Sequence, residues 1–223
     1  MKLVYVFGKE GRIRFVSHLD LQRFLQRALN RTCLPIAFSK GFNPHPVMSI
    51  ASALAMGYES DYEVFEVRID GSIDAETALE TMRAALPGDM PVKQVYFRED
   101  NFPAMMSLVR MADYTITPQS DSEALAAAAQ RFTAMDSYMG IRKTKSGERE
   151  VDVRKLCVRL SSCEGKLYAR LMLTEQDTLK PDLLIQTLCA IANIDVPSCR
   201  VRRNLLLGQD KCGEIKPITE LSL

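Results

Sequence analysis

Two short stretches carry most of the residues whose types and spacing could do chemistry, and between them they hold both histidines of the chain. In the first, Arg14-Phe15-Val16-Ser17-His18-Leu19-Asp20, a serine and a carboxylate flank an imidazole that can carry protons near neutral pH. Adjacent residues on a helix point in different directions, and Ser17 with Asp20 is a close cousin of a capping box, so helix capping accounts for both without catalysis. His18 is kept as a weak acid/base candidate. In the second, Ser39-Lys40-Gly41-Phe42-Asn43-Pro44-His45-Pro46, two prolines stiffen the backbone around His45 and Gly41 permits close approach. An ammonium, an aromatic ring, an amide and an imidazole on one stiff loop suit a ligand that joins phosphate to base: Lys40 for phosphate, Phe42 or His45 for stacking, Asn43 for a base edge. His45 is the second weak catalytic candidate, and a rigid connector is the structural alternative.

Basic residues elsewhere extend the pattern. After Ser17 a helix is expected to about Arg31, with Leu21, Phe24, Leu25, Ala28 and Leu29 on one face and Arg23, Arg27 and Arg31 as a stripe beside it. Lys143 and Lys145, with Arg142, Arg149, Arg154 and Lys155, lie on or beside an expected loop or hairpin tip, and Arg200, Arg202 and Arg203 cluster on the last expected strand. Alternation would put Arg200 and Arg202 on one face and Arg203 on the other. Together these residues are read as a discontinuous basic track wide enough for folded RNA, although no aromatic RNP-type motif accompanies them. Eight acidic residues between Glu59 and Glu80 face only Arg68 there, and they are read as a solvated acidic face able to dock a protein partner.

The elements that must position these residues follow from periodicity. Leu3 to Phe7 reads as a strand and Ile13 to Val16 as a continuation of it; Val47 to Met56, Tyr62 to Ile69 and Val92 to Arg98 read as further strands, and Asp74 to Leu86 as a capped helix stopped by Pro87-Gly88. The order is β-α-β-β-α-β. It starts again with Tyr114 to Thr117, a helix from Ser120 to Met135, strands Cys157 to Ser161 and Leu167 to Leu173 about a Glu164-Gly165 turn, a helix from Lys180 to Ile191 and a strand from Cys199 to Leu207. The expected class is therefore α+β, two tandem ferredoxin-like domains with antiparallel sheets: 1–100, a linker 101–111, and 112–223.

Composition excludes several classes. At 223 residues and a net charge of +1 the chain is long enough for two cores, and its longest strongly apolar run, near Ala51 to Met56, is too short to span a bilayer. No signal-peptide pattern follows Met1, so a cytoplasmic location is expected. Six cysteines without C-x-x-C spacing argue for reduced thiols, with neither metal nor cofactor assigned. The sequence contains no G-x-G-x-x-G, Walker A or H-E-x-x-H motif.

The run from Arg14 to Asp20 with Arg23, Arg27-Ala28, the Ser39 to Pro46 loop and Ala53-Leu54-x-x-Gly57-x-x-Ser60 resembles the radical SAM-associated (radical SAM-linked) uncharacterised protein family of bacteria. Lys145-Ser146-Gly147, Val151-Asp152-Val153-Arg154 and Lys180-Pro181 extend the resemblance over nearly the whole chain. It implies a stand-alone relative of a domain fused to, or encoded beside, a radical SAM protein. A fold-level likeness to CRISPR repeat-processing endoribonucleases also leans toward RNA, but the glycine-rich loop of those enzymes has no clear match here. The leading expectation is a non-catalytic RNA-binding accessory protein working with a radical SAM enzyme on tRNA or ribosomal RNA. Arg23, Arg27, Lys40, Lys143, Lys145 and Arg202 would neutralise phosphate, and Phe42, Asn43 and His45 would read or stack a base. The alternatives are a metal-independent endoribonuclease using His18 or His45, and an adaptor whose acidic face docks the radical SAM protein.

Overall fold

The computed structural model describes residues 1–144 and 147–222, with Lys143 and Thr144 described for the backbone alone. The chain is α+β with mostly antiparallel strand pairing, and it divides into two compact units: 1–109 with 205–223, and 110–204. The second boundary differs from the expected one. Residues after Asn204 return to the first unit, where Ile218 and Leu221 are buried and Thr219 meets the Tyr62 hydroxyl. The stretch read as a linker also belongs there, because Met105 and Leu108 are buried.

The first unit opens with β1 (Lys2–Lys9), followed by α1 (His18–Leu29), β2 (Met48–Ile50), β3 (Glu59–Arg68), α2 (Ala75–Ala85), β4 (Val92–Arg98) and α3 (Met105–Leu108). Its strands run β4-β1-β3, with β2 on the end of β3. A strand sends consecutive side chains to opposite faces, and central β1 is buried on both. Leu3, Tyr5 and Phe7 join Phe65, Val67, Leu21, Leu25, Leu29 and Met82 in one cluster under α1 and α2. Both helices start as the sequence predicts: the Ser17 hydroxyl accepts from Asp20 N–H and the Asp74 carboxylate from Thr77 N–H.

Three expectations for this unit change. Ile13 to Val16 belongs to no strand; Gly11–Phe15 is a 3-10 turn, entered at Gly11 with φ +51° and held by Arg12 N–H on the Asp89 carboxylate at 3.0 Å. Of Val47 to Met56 only Met48–Ile50 is strand, because the chain then turns and Gly57 N–H bonds back to the Arg14 carbonyl at 2.8 Å. The acidic face is also smaller than expected: Glu59, Glu63 and Glu66 lie on β3 with 7%, 1% and 6% of their surface exposed, whereas Asp70, Asp74, Glu76 and Glu80 are exposed. Arg14 pairs with Glu59 at 3.0 Å and Ser49 donates to Glu66 at 2.8 Å. Carboxylates withdrawn from water cannot meet a docking protein, so Glu59, Glu63 and Glu66 do not belong to an exposed acidic surface.

The second unit contains β5 (Met111–Pro118), α4 (Ser122–Thr133), the hairpin β6 (Met139–Thr144) and β7 (Gly147–Asp152), α5 (Val153–Leu156), β8 (Cys157–Cys163), β9 (Lys166–Met172), α6 (Pro181–Ala192) and β10 (Cys199–Gln209), whose residues from Leu205 on belong to the first unit. The strand order is β10-β5-β9-β8. The turn joining β8 to β9 is the one the sequence predicts, with Glu164 and Gly165 both at positive φ. Ala112, Tyr114, Ile116, Leu167, Ala169 and Leu171 are buried, as are Leu125, Phe132, Leu184 and Leu188 of α4 and α6, the two helices that form the apolar layer.

In the first unit the final strand, β11 (Ile215–Pro217), pairs with β10 from Leu207 to Gln209. A Cβ on Gly208 would stand 2.6 Å from both the Leu108 carbonyl and Leu221 Cδ1, so only glycine lets this backbone approach so closely. Among the described residues no helix is long and apolar enough to cross a membrane. Truncating fully buried Ile218 to alanine should cost about 2–5 kcal/mol in denaturant melts, and Gly208→Ala should also destabilise, whereas Val158→Ala, at an exposed site, should stay within about 0.5 kcal/mol of wild type.

Candidate nucleic-acid interface

The Ser39 to Pro46 loop is closed on itself. Ser39 N–H donates to the His45 carbonyl at 2.9 Å, His45 N–H donates to Ser39 Oγ at 3.1 Å, and Ser39 Oγ lies 2.9 Å from His45 Nδ1. Nδ1 also lies 3.4 Å from the Asn43 carbonyl, so it accepts from Oγ or donates according to the tautomer. The stem below is fixed as well: Phe38 bridges to Pro46, Val47 N–H bonds the Ala37 carbonyl, and Ala37 N–H bonds the carbonyl of Arg68 at the end of β3, each of the last two at 2.9 Å. Gly41 has φ +128°, a conformation that side chains rarely adopt, and it carries the chain around the tip.

The loop turns its side chains outward. Phe42 is wholly exposed, and Lys40, Asn43 and His45 are exposed beside it. Phe38 and Val47 on the stem are exposed too, at 47% and 41%. The loop therefore sets an aromatic ring in water, next to one cation and two hydrogen-bonding side chains, on a backbone whose closing bonds are already made. A ligand that stacks on that ring meets a surface whose ordering cost was met during folding.

Of the other expected residues, Arg23 and Arg27 are exposed on α1; Arg23 lies 3.4 Å from Asp20 and, among the described residues, Arg27 has no ion-pair partner. His18 begins α1, half-buried. Arg202 is half-buried on β10, and burial of Arg203 beside exposed Arg200 shows the predicted alternation. Lys145 lies outside the described residues, and Lys143 is described only as part of β6. Two further cations expected in the track are used inside the second unit. Arg154 donates to the carbonyls of Met135, Cys157 and Thr133, and Arg142 donates to that of Thr178.

Two of the cysteines are withdrawn from solvent chemistry. Burial pushes the Cys157 thiol up to about 12 and that of Cys199 up to about 11, the opposite of what a reactive thiolate needs. Among the described residues no three of His, Cys, Asp and Glu converge as metal ligands.

Four further residues on the second unit's sheet carried no signal in the sequence. Asp113, Arg159, Tyr168 and Arg170 line a shallow cavity of about 400 Å³ there. Strand alternation places Tyr168 and Arg170 on one face, but that face becomes recognisable as open only once the helices are seen on the other.

The profile of a family described as "Uncharacterized protein conserved in bacteria (DUF2344)" matches residues 2–181. None of the curated proteins matches. Among solved structures, an unknown protein from Galdieria sulphuraria is similar at 10% identity and a TM-score of 0.27, over 91% of this chain and 97% of that one. The first two RRM domains of yeast Poly(U) Binding Protein (Pub1) are similar at 10% identity and a TM-score of 0.21, over 90% and 98%.

The hairpin that carries Lys143 is closed at its foot by Asp152, which accepts from Tyr138 N–H at 3.1 Å and from Ser137 Oγ at 2.9 Å. Desolvation opposes the charge there, but these bonds and those from Lys155 outweigh it and hold the carboxyl at about 2. Because the folded value lies below the unfolded one of about 3.9, the stability it contributes is present above pH 4 and lost as pH falls toward 2. Thermal melts should show Asp152→Asn destabilised at pH 5, with the gap to wild type closing as pH falls from 4 to 2.

Proposed function

We propose, from the premise that the chain belongs to the DUF2344 family of uncharacterized proteins conserved in bacteria, that it is a non-catalytic RNA-binding accessory protein that engages its ligand through the Ser39 to Pro46 loop. One observation carries the reading: a loop closed by three Ser39–His45 contacts holds a wholly exposed Phe42 beside Lys40, Asn43 and His45. Every base has an apolar π-face, so an exposed ring supplies a stacking surface whatever the sequence. The adjacent ammonium answers the phosphate that accompanies each base, while Asn43 and His45 supply the hydrogen bonds that sort one base edge from another.

Arg23 and Arg27 fit as backbone contacts because both guanidinium groups stand in solvent on the outer side of α1. A radical SAM enzyme as working partner, and tRNA or ribosomal RNA as ligand, rest on the sequence resemblance. In the same proposal each unit is a ferredoxin-like fold. The support is a shared β-α-β-β-α-β succession, with strand order β4-β1-β3-β2 in the first unit and β10-β5-β9-β8 in the second.

Fluorescence anisotropy with labelled tRNA, titrated at several salt concentrations, tests the loop. Lys40→Ala and Arg27→Ala should weaken binding by similar factors across RNA sequences and each lower the salt slope by about 1 or slightly less. Phe42→Ala should weaken binding about 5- to 150-fold, as loss of one base stack does, with the slope unchanged. Wild-type affinity and slope in all three variants would refute the assignment.

A further inference from the structure

Helices cover one face of the second unit's sheet and leave residues of the other in contact with solvent. On that open face the antiparallel register lines up two rows. Asp113 of β5 stands opposite Arg170 of β9, which stands opposite Arg159 of β8; one step along, Thr115, Tyr168 and Ser161 stand opposite one another in the same way. Directly opposed residues share a face, so the rows form one surface, and they border the 400 Å³ cavity together with Asn204 of β10.

The rows have distinct chemistry. Arg170 is held in place by Asp113 through two parallel bonds, Nε to Oδ1 at 2.8 Å and Nη2 to Oδ2 at 2.9 Å, which neutralises its charge and fixes the plane of its guanidinium. Arg159 is exposed and, among the described residues, has no ion-pair partner. Tyr168, in the middle of the other row, keeps 39% of its surface exposed. Asn204 accepts from the Thr115 hydroxyl at 2.8 Å through Oδ1, so what its side chain offers a ligand is its N–H donors.

Alternation adds Lys166 of β9 and Arg200 and Arg202 of β10 to this face, against one acidic residue, Asp113. An apolar protein partner would meet an excess of cations, and a small neutral ligand would leave Arg159 unanswered. A chain of phosphates bearing aromatic bases satisfies both features.

We infer that the open sheet face of the second unit is a binding platform for single-stranded RNA, with one base stacked on Tyr168 in the cavity and its phosphate on Arg159. The platform extends the RNA reading to a second site. It depends on that reading only for the class of ligand, since it shares no residue with the Ser39 to Pro46 loop.

The test is anisotropy with a fluorescein-labelled single-stranded RNA decamer of mixed sequence, on the full chain, with folding of each variant checked by its melting curve. Tyr168→Ala should weaken binding about 5- to 150-fold while Tyr168→Phe, which keeps the stacking ring, binds as wild type does. Arg159→Glu should weaken binding and lower the salt slope. If Tyr168→Ala and Arg159→Glu bind as wild type does, the platform is overturned whatever Phe42→Ala does; absence of any decamer binding by wild type overturns it equally. If Phe42→Ala is silent while Tyr168→Ala is not, the loop assignment fails and the platform stands.

Discussion

A strand must send alternate side chains to opposite faces, and both cores and the exposed sheet surface of this protein follow from which faces are covered. In the first unit β1 is covered on both sides, so its interior residues from Leu3 to Phe7 are all buried. In the second unit the packing of α4 and α6 on one face fixes Ala112, Tyr114, Ile116 and Ala169 inside and obliges Asp113, Thr115, Tyr168 and Arg170 to the other side. The same alternation that builds a core therefore builds an exposed row of aromatic and cationic side chains at no further cost in ordering, because their backbone is already held by the ladder.

The Ser39 to Pro46 loop reaches a similar result by different means. No ladder holds its tip. Contacts across its mouth do so instead, with the Ser39 hydroxyl serving as acceptor for His45 N–H and as partner for His45 Nδ1. Prolines on either side of His45 remove backbone freedom that a ligand would otherwise have to freeze. Exposure of Phe42 and Phe38 is unfavourable in water by itself, and a stacking ligand relieves it.

Much of this was legible locally. The apolar face of α1, the Asp74 cap, strand Val92–Arg98 and the Glu164-Gly165 turn all depend on residues within a few positions of one another. The candidate loop was legible for the same reason, since Gly41 and two prolines declare its geometry. What the sequence concealed depends on distant partners. Return of residues 205–223 to the first unit rests on Ile218, Thr219 and Leu221 filling space beside residues more than 100 positions earlier. Burial of Glu63 and Glu66 contradicts their composition because β3 is an interior strand, and the guanidinium of Arg154 binds carbonyls that no motif points to. Tyr168 resembled any strand tyrosine until the helices showed which face was left open.

The most direct test of RNA binding at these surfaces is ultraviolet crosslinking of the purified chain to total cellular RNA, followed by mass spectrometry of the peptides that carry nucleotide adducts. The account predicts adducts in the peptide that contains Lys40 to His45 and in the peptide that contains Tyr168. Recovery of no adduct, or of adducts confined to segments outside these two, would contradict it.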